Sequence, residues 1–241
     1  QFDHRNTQLH DLDDGLLKDY DDSLKNFQKE HNLTIFHLMG QHVNYKQRYR
    51  TKQARFWASS YEDKRPELTN AQRKMLSHYD NATLYNDSIV AQIVKRFQKQ
   101  DAIVIYVPDH GEECYEENRG FICRNHSAEI DWPLAHYEFE IPFWIYCSPK
   151  YIRNHRDIYR QIRKAKDKRF MTDALPHLLL YLAGIETPTY KEEYNILSPK
   201  YDEMRPRILK NSADYDKLRD AHLEKIKKEE SKKVKKKERR N

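Results

Sequence analysis

The spacing of apolar residues along the chain defines a short series of elements. Leu16, Leu17, Tyr20, Leu24 and Phe27 recur at helical intervals and predict an amphipathic helix over Gly15–Glu30. Leu33–Leu38 is a mostly apolar run, too short for a helix, and reads as a buried strand ending at Met39-Gly40. Asn44–Arg65 is polar, aromatic and without period, the pattern of a long surface loop. Thr69 followed by Gln72 fits a capping box. Behind it Met75, Leu76, Tyr79, Leu84, Ile89, Ile93, Val94 and Phe97 predict one long helix, or two short ones, ending near Gln100. Ala102–Val107 is a β-branched run stopped by Pro108, the clearest strand. Glu112–His136 is polar and rich in charge and histidine, a long loop of functional type. Ile141–Cys147 reads as a third strand, and Thr172–Ala183 as a helix with Gly184 at C′.

Helices alternating with strands imply an α/β sheet with helical crossovers, in which Leu33–Leu38, Ala102–Val107 and Phe143–Cys147 share one sheet. A chain of 241 residues is long enough for one sizeable core or two small domains. No apolar run approaches the roughly 20 residues that span a bilayer. Glycine is scarce, with 5 residues where average usage of about 7 % would give roughly 17. Neither G-x-G-x-x-G nor a P-loop occurs, which removes the usual nucleotide folds and makes each remaining glycine informative. The net charge of +6 is uneven: Lys225–Asn241 holds ten Lys or Arg and three Glu, a net of +7, leaving −1 for the rest. Residues 211–241 therefore read as a charged, largely solvated basic tail beyond a domain at 1–210, with its end frayed or weakly helical. Three cysteines without a C-x-x-C pair argue against a zinc ribbon. A Cys114–Cys123 bridge would suit an oxidising compartment, and spacing leaves it open.

Two clusters follow predicted strands directly: His37-Leu38-Met39-Gly40-Gln41-His42 and Asp109-His110-Gly111-Glu112-Glu113. In open α/β sheets, ligands bind beyond the carboxyl ends of strands. Two of the scarce glycines, Gly40 and Gly111, sit in these turns, where positive φ or close backbone approach calls for them. Asp109 and His110 offer an oxygen and a nitrogen suited to zinc, but a catalytic zinc takes at least three protein ligands. His42 and His126, on loops beside or beyond the clusters, are further candidates. The two clusters are expected at one edge of the sheet.

These residues carry a resemblance. Asp109-His110-Gly111-Glu112 after an apolar strand is similar to the D-H-G-E signature of sulfatase-like members of the alkaline phosphatase superfamily. His37-x-Met39-Gly40-x-His42, with Tyr45, Arg48 and Tyr49, resembles the H-x-M-G-S-H-G-P-x-Y-x-x-R-Y-P stretch of lipid A phosphoethanolamine transferases. Tyr79-Asp80-Asn81-Ala82-Thr83-Leu84-Tyr85-Asn86-Asp87, Ile141-Pro142-Phe143-Trp144 and the helix Asp173–Ile185 resemble further stretches of that family, in its order. The departures include Gln41-His42-Val43-Asn44 for S-H-G-P, and Cys114-Tyr115-Glu116 where L-G-E usually follows.

The resemblance implies an α/β sulfatase/alkaline-phosphatase-like sheet flanked by helices, with the N-terminal part of the domain absent. It implies metal ligation by Asp109 and His110, a catalytic, substrate-binding or second-metal role for His42, and a catalytic, substrate-binding role for His126, with Glu112 lining the same site. It implies zinc as cofactor, a phospholipid donor, and lipid A or another glycolipid as acceptor. The basic tail could touch a nucleic acid or an anionic membrane, but no nucleic-acid partner is expected. It also implies the periplasmic face of the bacterial inner membrane, a membrane anchor in an absent N-terminal segment, and a nucleophilic threonine and metal-binding glutamate upstream. The chain, beginning at Gln1, reads on this basis as a piece of something longer, inactive by itself. A sulfatase or phosphodiesterase of the same superfamily is the alternative enzyme. A non-catalytic binding module, with the Asp-His pair structural and the tail on anionic lipid, is the alternative outside enzymology.

Overall fold

The computed structural model of the protein describes residues 10–24, 31–124 and 129–238. The chain forms two compact units, Gln1–Gln100 and Asp101–Asn241.

The first unit is helical. Helix α1, Asp14–Ser23, buries Leu16, Leu17 and Tyr20 as the spacing requires. Residues 25–30 of the expected Gly15–Glu30 helix lie outside the described residues. Helix α2, Asn70–Phe97, is one uninterrupted element. Its capping box forms as anticipated: the Gln72 amide donates to Thr69 Oγ1 at 3.3 Å, and the Thr69 amide to Gln72 Oε1 at 2.8 Å. Two expectations fail here. Leu33–Leu38 forms no regular element and is no strand, since none of the ladders among the described residues includes it. Nor is it buried throughout: Leu33 is 78 % and Ile35 74 % exposed, while Phe36 turns inward against Tyr20 and Phe97, with ring centroids 5.3 and 6.4 Å away. Asn44–Arg65 is not a surface loop. It winds through three 3-10 turns, Tyr45–Gln47, Thr51–Gln53 and Ala58–Tyr61, and buries Tyr45, Tyr49 and Tyr61.

One buried amide on α2 holds much of that segment. Asn81 Oδ1 accepts from the amides of Arg55 and Phe56 at 2.7 and 3.1 Å, and Nδ2 donates to the carbonyls of Phe56 and Ser77 at 2.8 Å each. Around it, Tyr61 donates to Asp80, Tyr49 meets His78 Nδ1 at 2.9 Å, and the Tyr45 and Tyr79 rings meet edge to face.

In the second unit, strand β1, Ile103–Tyr106, ends two residues before Pro108, which cannot donate to a ladder. Strands β2, Glu113–Cys114, and β3, Phe121–Cys123, form a hairpin inside the stretch expected to be loop. A helical turn, α3, Trp132–Leu134, runs into a π-helical turn, Ala135–Phe139. Strand β4, Trp144–Cys147, then returns antiparallel to β1, with Trp144 opposite Tyr106 and their rings stacked at 5.3 Å. The described strands make three two-stranded antiparallel ladders, so the expected single sheet with helical crossovers is not what joins them. The chain between β1 and β4 reverses through a hairpin and a π-turn, where a parallel return would need a full crossover helix.

Helices α4, Pro149–Asn154, and α5, Arg156–Ala165, follow. A 3-10 turn, Thr172–Ala174, leads into α6, Leu175–Leu182. Gly184, at φ 65°, closes α6 as expected: its amide donates to Tyr181 O and that of Ile185 to Leu180 O, a Schellman pair. Ala165, Leu178, Ile196 and Leu197 form one core here, and Ile130, Leu134, Ala135, Leu209 and Tyr215 a second. The buried thiol of Cys147 is free, and burial pushes its pKa up. Cys114 is buried too, but the Cys123 side chain, and with it the possible bridge, lies outside the described residues.

The segment 211–241 is not uniform. Strand β5, Ile208–Leu209, pairs with β6, Ala213–Asp214, and helix α7, Tyr215–Glu238, follows. The base of α7 is packed: Tyr215 is buried, and His222 stacks on Trp132 at 5.2 Å. Asp216 pairs with Arg169, Arg207 and Arg219, and the Arg207 hydrogen bond holds its carboxyl below the usual range. That stabilisation is present above the ordinary aspartate pKa and is lost as pH falls through the lowered value. From Leu223 to Lys233 every residue is exposed.

Two stability outcomes follow from this packing. Asn81→Ala leaves buried backbone groups unpaired at both ends of its contacts and should cost about 2–4 kcal/mol in urea melts. Removing Lys225–Asn241 should leave the melting temperature almost unchanged, since the described part of that stretch buries nothing. A tail deletion as costly as Asn81→Ala would contradict this division.

Candidate active site

The turn after β1 carries the Asp-His pair. Pro108 ends the strand, and Asp109 Oδ1 accepts the backbone amide of His110 at 3.1 Å, which folds the carboxylate back over the turn. His110 Nδ1 lies 2.7 Å from the carbonyl of Gly111. A carbonyl only accepts, so Nδ1 carries the proton and Nε2 presents a lone pair. Asp109 Oδ2 is 3.7 Å from that Nε2. Two atoms each about 2.0–2.2 Å from one zinc ion stand roughly 3.3–3.6 Å apart in a tetrahedral shell. The pair is thus within a small side-chain adjustment of chelating one ion. Arg124 Nη1 is 2.8 Å from the same Nε2, a permanently cationic donor on the lone pair a metal would use.

Gly111 explains its own presence. A Cβ there would lie 2.1 Å from the carbonyl oxygen of Tyr137, and the Gly111 amide donates to Glu138 O at 2.8 Å. Only a residue without a side chain lets the turn dock on the π-helical segment. Asp109, His110, Arg124 and Glu138 all line an open cavity of about 1000 Å³, whose walls include Phe139, Phe143 and Phe170. Arg124 and Glu138 are additions that sequence reasoning missed. Their spacing from Asp109 carries no signal: Arg124 falls within the stretch Glu112–His136 that reads as loop, and Glu138 between that stretch and the strand expected from Ile141. Glu112 is half-buried and is not among the residues lining this cavity. Its neighbour Glu113 is fully buried and pairs with Arg119 at 2.6 Å, and Arg119 reaches Asp131 at 2.5 Å. Burial pushes the Glu113 carboxyl up, and Arg119 opposes it. This ion pair ties the hairpin to the helical turn.

The other cluster belongs to the first unit. Asp13, nearly fully buried, accepts the amides of Met39 and Gly40 on its two oxygens at 3.0 and 2.9 Å. Gly40 has φ 50°, the left-handed conformation its residue type favours. The His42 amide closes the turn onto Met39 O at 2.9 Å. Arg48 then holds the carbonyls of His42 and Val43 at 3.1 and 3.2 Å. Gln41, which stands where the resembling family has serine, bonds Thr83 and Asn86 on α2. His42 Nδ1 lies 3.4 Å from Val43 O, which directs Nε2 away from its own backbone. His126 lies outside the described residues. Among the described residues, no three His, Cys, Asp or Glu side chains converge as a ready metal cage.

A sulfatase family model matches residues 3–185, and the chain belongs to the sulfatase family. Within it, the chain is 31 % identical over 202 residues to "Phosphoethanolamine transferase EptC" of Escherichia coli O18:K1:H7 (strain RS218 / NMEC), a match covering 83 % of this chain and 33 % of that protein. It is 32 % identical over 162 residues to "Kdo(2)-lipid A phosphoethanolamine 7''-transferase" of Escherichia coli (strain K12), covering 66 % of this chain and 27 % of that protein. The C-terminal periplasmic domain of EcEptC from Escherichia coli, solved as a complex with Zn, superposes with a TM-score of 0.70 at 28 % identity, covering 90 % of this chain and 60 % of that domain. The chain thus spans about a third of the length of these curated relatives. The fold class is the sulfatase-like α/β fold of that domain.

Gly111→Ala puts a methyl group against the Tyr137 carbonyl and should lower the melting temperature by several degrees, a loss of about 2–4 kcal/mol. Gly120→Ala meets no atom within 4 Å, but its φ of 89° strains any side chain, so its cost should be smaller. Equal melting of wild type and Gly111→Ala would show that the turn does not dock as described.

Proposed function

We propose that this chain is part of a phosphoethanolamine transferase that moves phosphoethanolamine from a phospholipid to lipid A or a related cell-envelope glycolipid. The observation that carries the reading is the outward lone pair of His110 Nε2, oriented by Gly111 O, beside the carboxylate of Asp109. Support also comes from the named activities of the relatives and from a solved relative that is a Zn complex. Zinc bound there would supply a lowered pKa for the attacking hydroxyl and stabilise charge on the phosphoryl oxygens. The nucleophile in this reading is a threonine outside the chain, as are the remaining metal ligands.

The chain's own residues then divide the work. Asp109 contributes an anionic oxygen and His110 a neutral nitrogen whose orientation is set by the Gly111 carbonyl. His42, on its turn held by Asp13 and Arg48, binds the phosphoryl group and protonates the leaving oxygen, with His126 as the second candidate for that role. Glu112 is proposed to approach the substrate. The placement is the periplasmic face of a bacterial inner membrane, where the donor and acceptor lipids meet. Among the described residues no helix is long and apolar enough to cross a membrane, so the reading puts the anchor in another segment.

The test is mass spectrometry of lipid A from cells expressing the gene that carries this sequence. The wild type should add phosphoethanolamine. Asp109→Ala and His110→Ala should abolish the addition and lower bound zinc in the purified protein. His42→Ala should keep zinc and reduce the addition at least tenfold. Unmodified lipid A in every strain, with sulfate ester or phosphodiester hydrolysis by the wild type, would replace the transferase with the hydrolase reading. Full addition by Asp109→Ala would remove the site assignment.

A further inference from the structure

We infer that Arg124 is an oxyanion-binding residue of the Asp-His turn, with a phosphoryl group as its ligand. The backbone delivers it there. Strand β3 pairs antiparallel with β2, Cys123 opposite Glu113, so the chain leaving β3 runs back beside the turn that precedes β2. The Glu113–Arg119 and Arg119–Asp131 pairs hold that hairpin in place. Arg124 is the first residue past β3 and is half-buried, with Nη1 standing 2.8 Å from His110 Nε2.

A neutral imidazole nitrogen accepts a single N–H, whereas the guanidinium fork matches the paired oxygens of a carboxylate or phosphate. The other arginines lining the cavity have such a partner: Arg169 and Arg207 both pair with Asp216. Arg124 is aimed instead at the atom that the proposed metal site needs. Nε2 has one lone pair, so Arg124 and a metal ion cannot hold it together. With zinc on that nitrogen, Arg124 has to rotate away, yet β3 keeps its backbone beside the turn. It stays charged at any working pH, so it then faces a like charge at close range. An oxyanion shared by the guanidinium and the ion removes that repulsion. A phosphoryl group has oxygens enough to face both, the arrangement arginine and metal share in phosphoryl-transfer sites generally. The choice of a phosphoryl over a sulfuryl group rests on the proposed function. The binding itself is read without group transfer, so either idea can fail alone.

The experiment is calorimetric titration of zinc into the protein purified from the gene that carries this sequence, alone, with O-phosphoethanolamine and with sulfate. Linkage requires that an anion bound beside zinc raise zinc affinity, by the same factor as zinc raises the anion's. Wild type should bind zinc on the order of tenfold more tightly with O-phosphoethanolamine present. Arg124→Met should bind zinc more tightly than wild type when no anion is added, since the competing donor on Nε2 is gone, and should lose the enhancement. Arg124→Lys should keep part of it, as a charge without the fork. Lys166→Gln removes an exposed cation that lines the same cavity and should behave as wild type. All three variants should melt with the wild type. Full enhancement in Arg124→Met would overturn the inference. So would zinc affinity indifferent to O-phosphoethanolamine in the wild type, enhancement by sulfate alone, or an equal loss in Lys166→Gln, which would reduce the effect to net charge. Intact linkage in a protein that leaves lipid A unmodified would remove only the proposed function, and transfer without linkage only this inference.

Discussion

The second unit depends on one contact that tolerates no side chain. The Gly111 backbone lies against the carbonyl of Tyr137, and its amide donates to Glu138. That approach fixes the turn after β1 to the π-helical segment, and the Gly111 carbonyl in turn orients His110. The hairpin between them is closed by the buried Glu113–Arg119 pair, which reaches on to Asp131 at the cap of α3. π-helical turns cost hydrogen-bond geometry and tend to persist where they position something. Here the turn supplies the carbonyl that the glycine amide needs.

The first unit solves a similar problem by a different route. Its turn also bears a glycine, but the fixing agent is the buried carboxylate of Asp13, which takes both amides of the turn. Many of the residues that resemble the transferase family prove to be scaffold. Asn81 staples the 55–56 backbone, Tyr45 and Tyr79 pack edge to face, and Arg48 holds the carbonyls around His42. The motifs therefore encode how the site is held as much as what it does.

That distinction explains what was legible in the sequence. Local signals read correctly: the Thr69–Gln72 box, the run Ile103–Tyr106, Gly184 as helix terminator, and Gly40 and Gly111 as constrained turns. The misreadings arose where tertiary partners decide. Leu33–Leu38 has strand composition, but a strand exists only with a partner. Asn44–Arg65 looked like surface because its apolar residues are tyrosines, whose hydroxyls find partners on α2 while their rings go inside. Arg124 and Glu138 reach the Asp-His turn through a hairpin and a π-turn that have no periodic signature. The tail was legible in its charge but not in its base, where single residues such as Tyr215 and His222 carry the packing.

The central claim is that the turn presents His110 Nε2 and Asp109 to one metal ion, with the imidazole oriented by Gly111. Anomalous diffraction from crystals of the protein grown with zinc tests it directly. The account predicts an anomalous peak about 2.0–2.2 Å from His110 Nε2 and from an Asp109 oxygen, with the Arg124 guanidinium moved off the nitrogen. A peak on His110 Nδ1, or zinc bound elsewhere while Arg124 still holds Nε2, would contradict it.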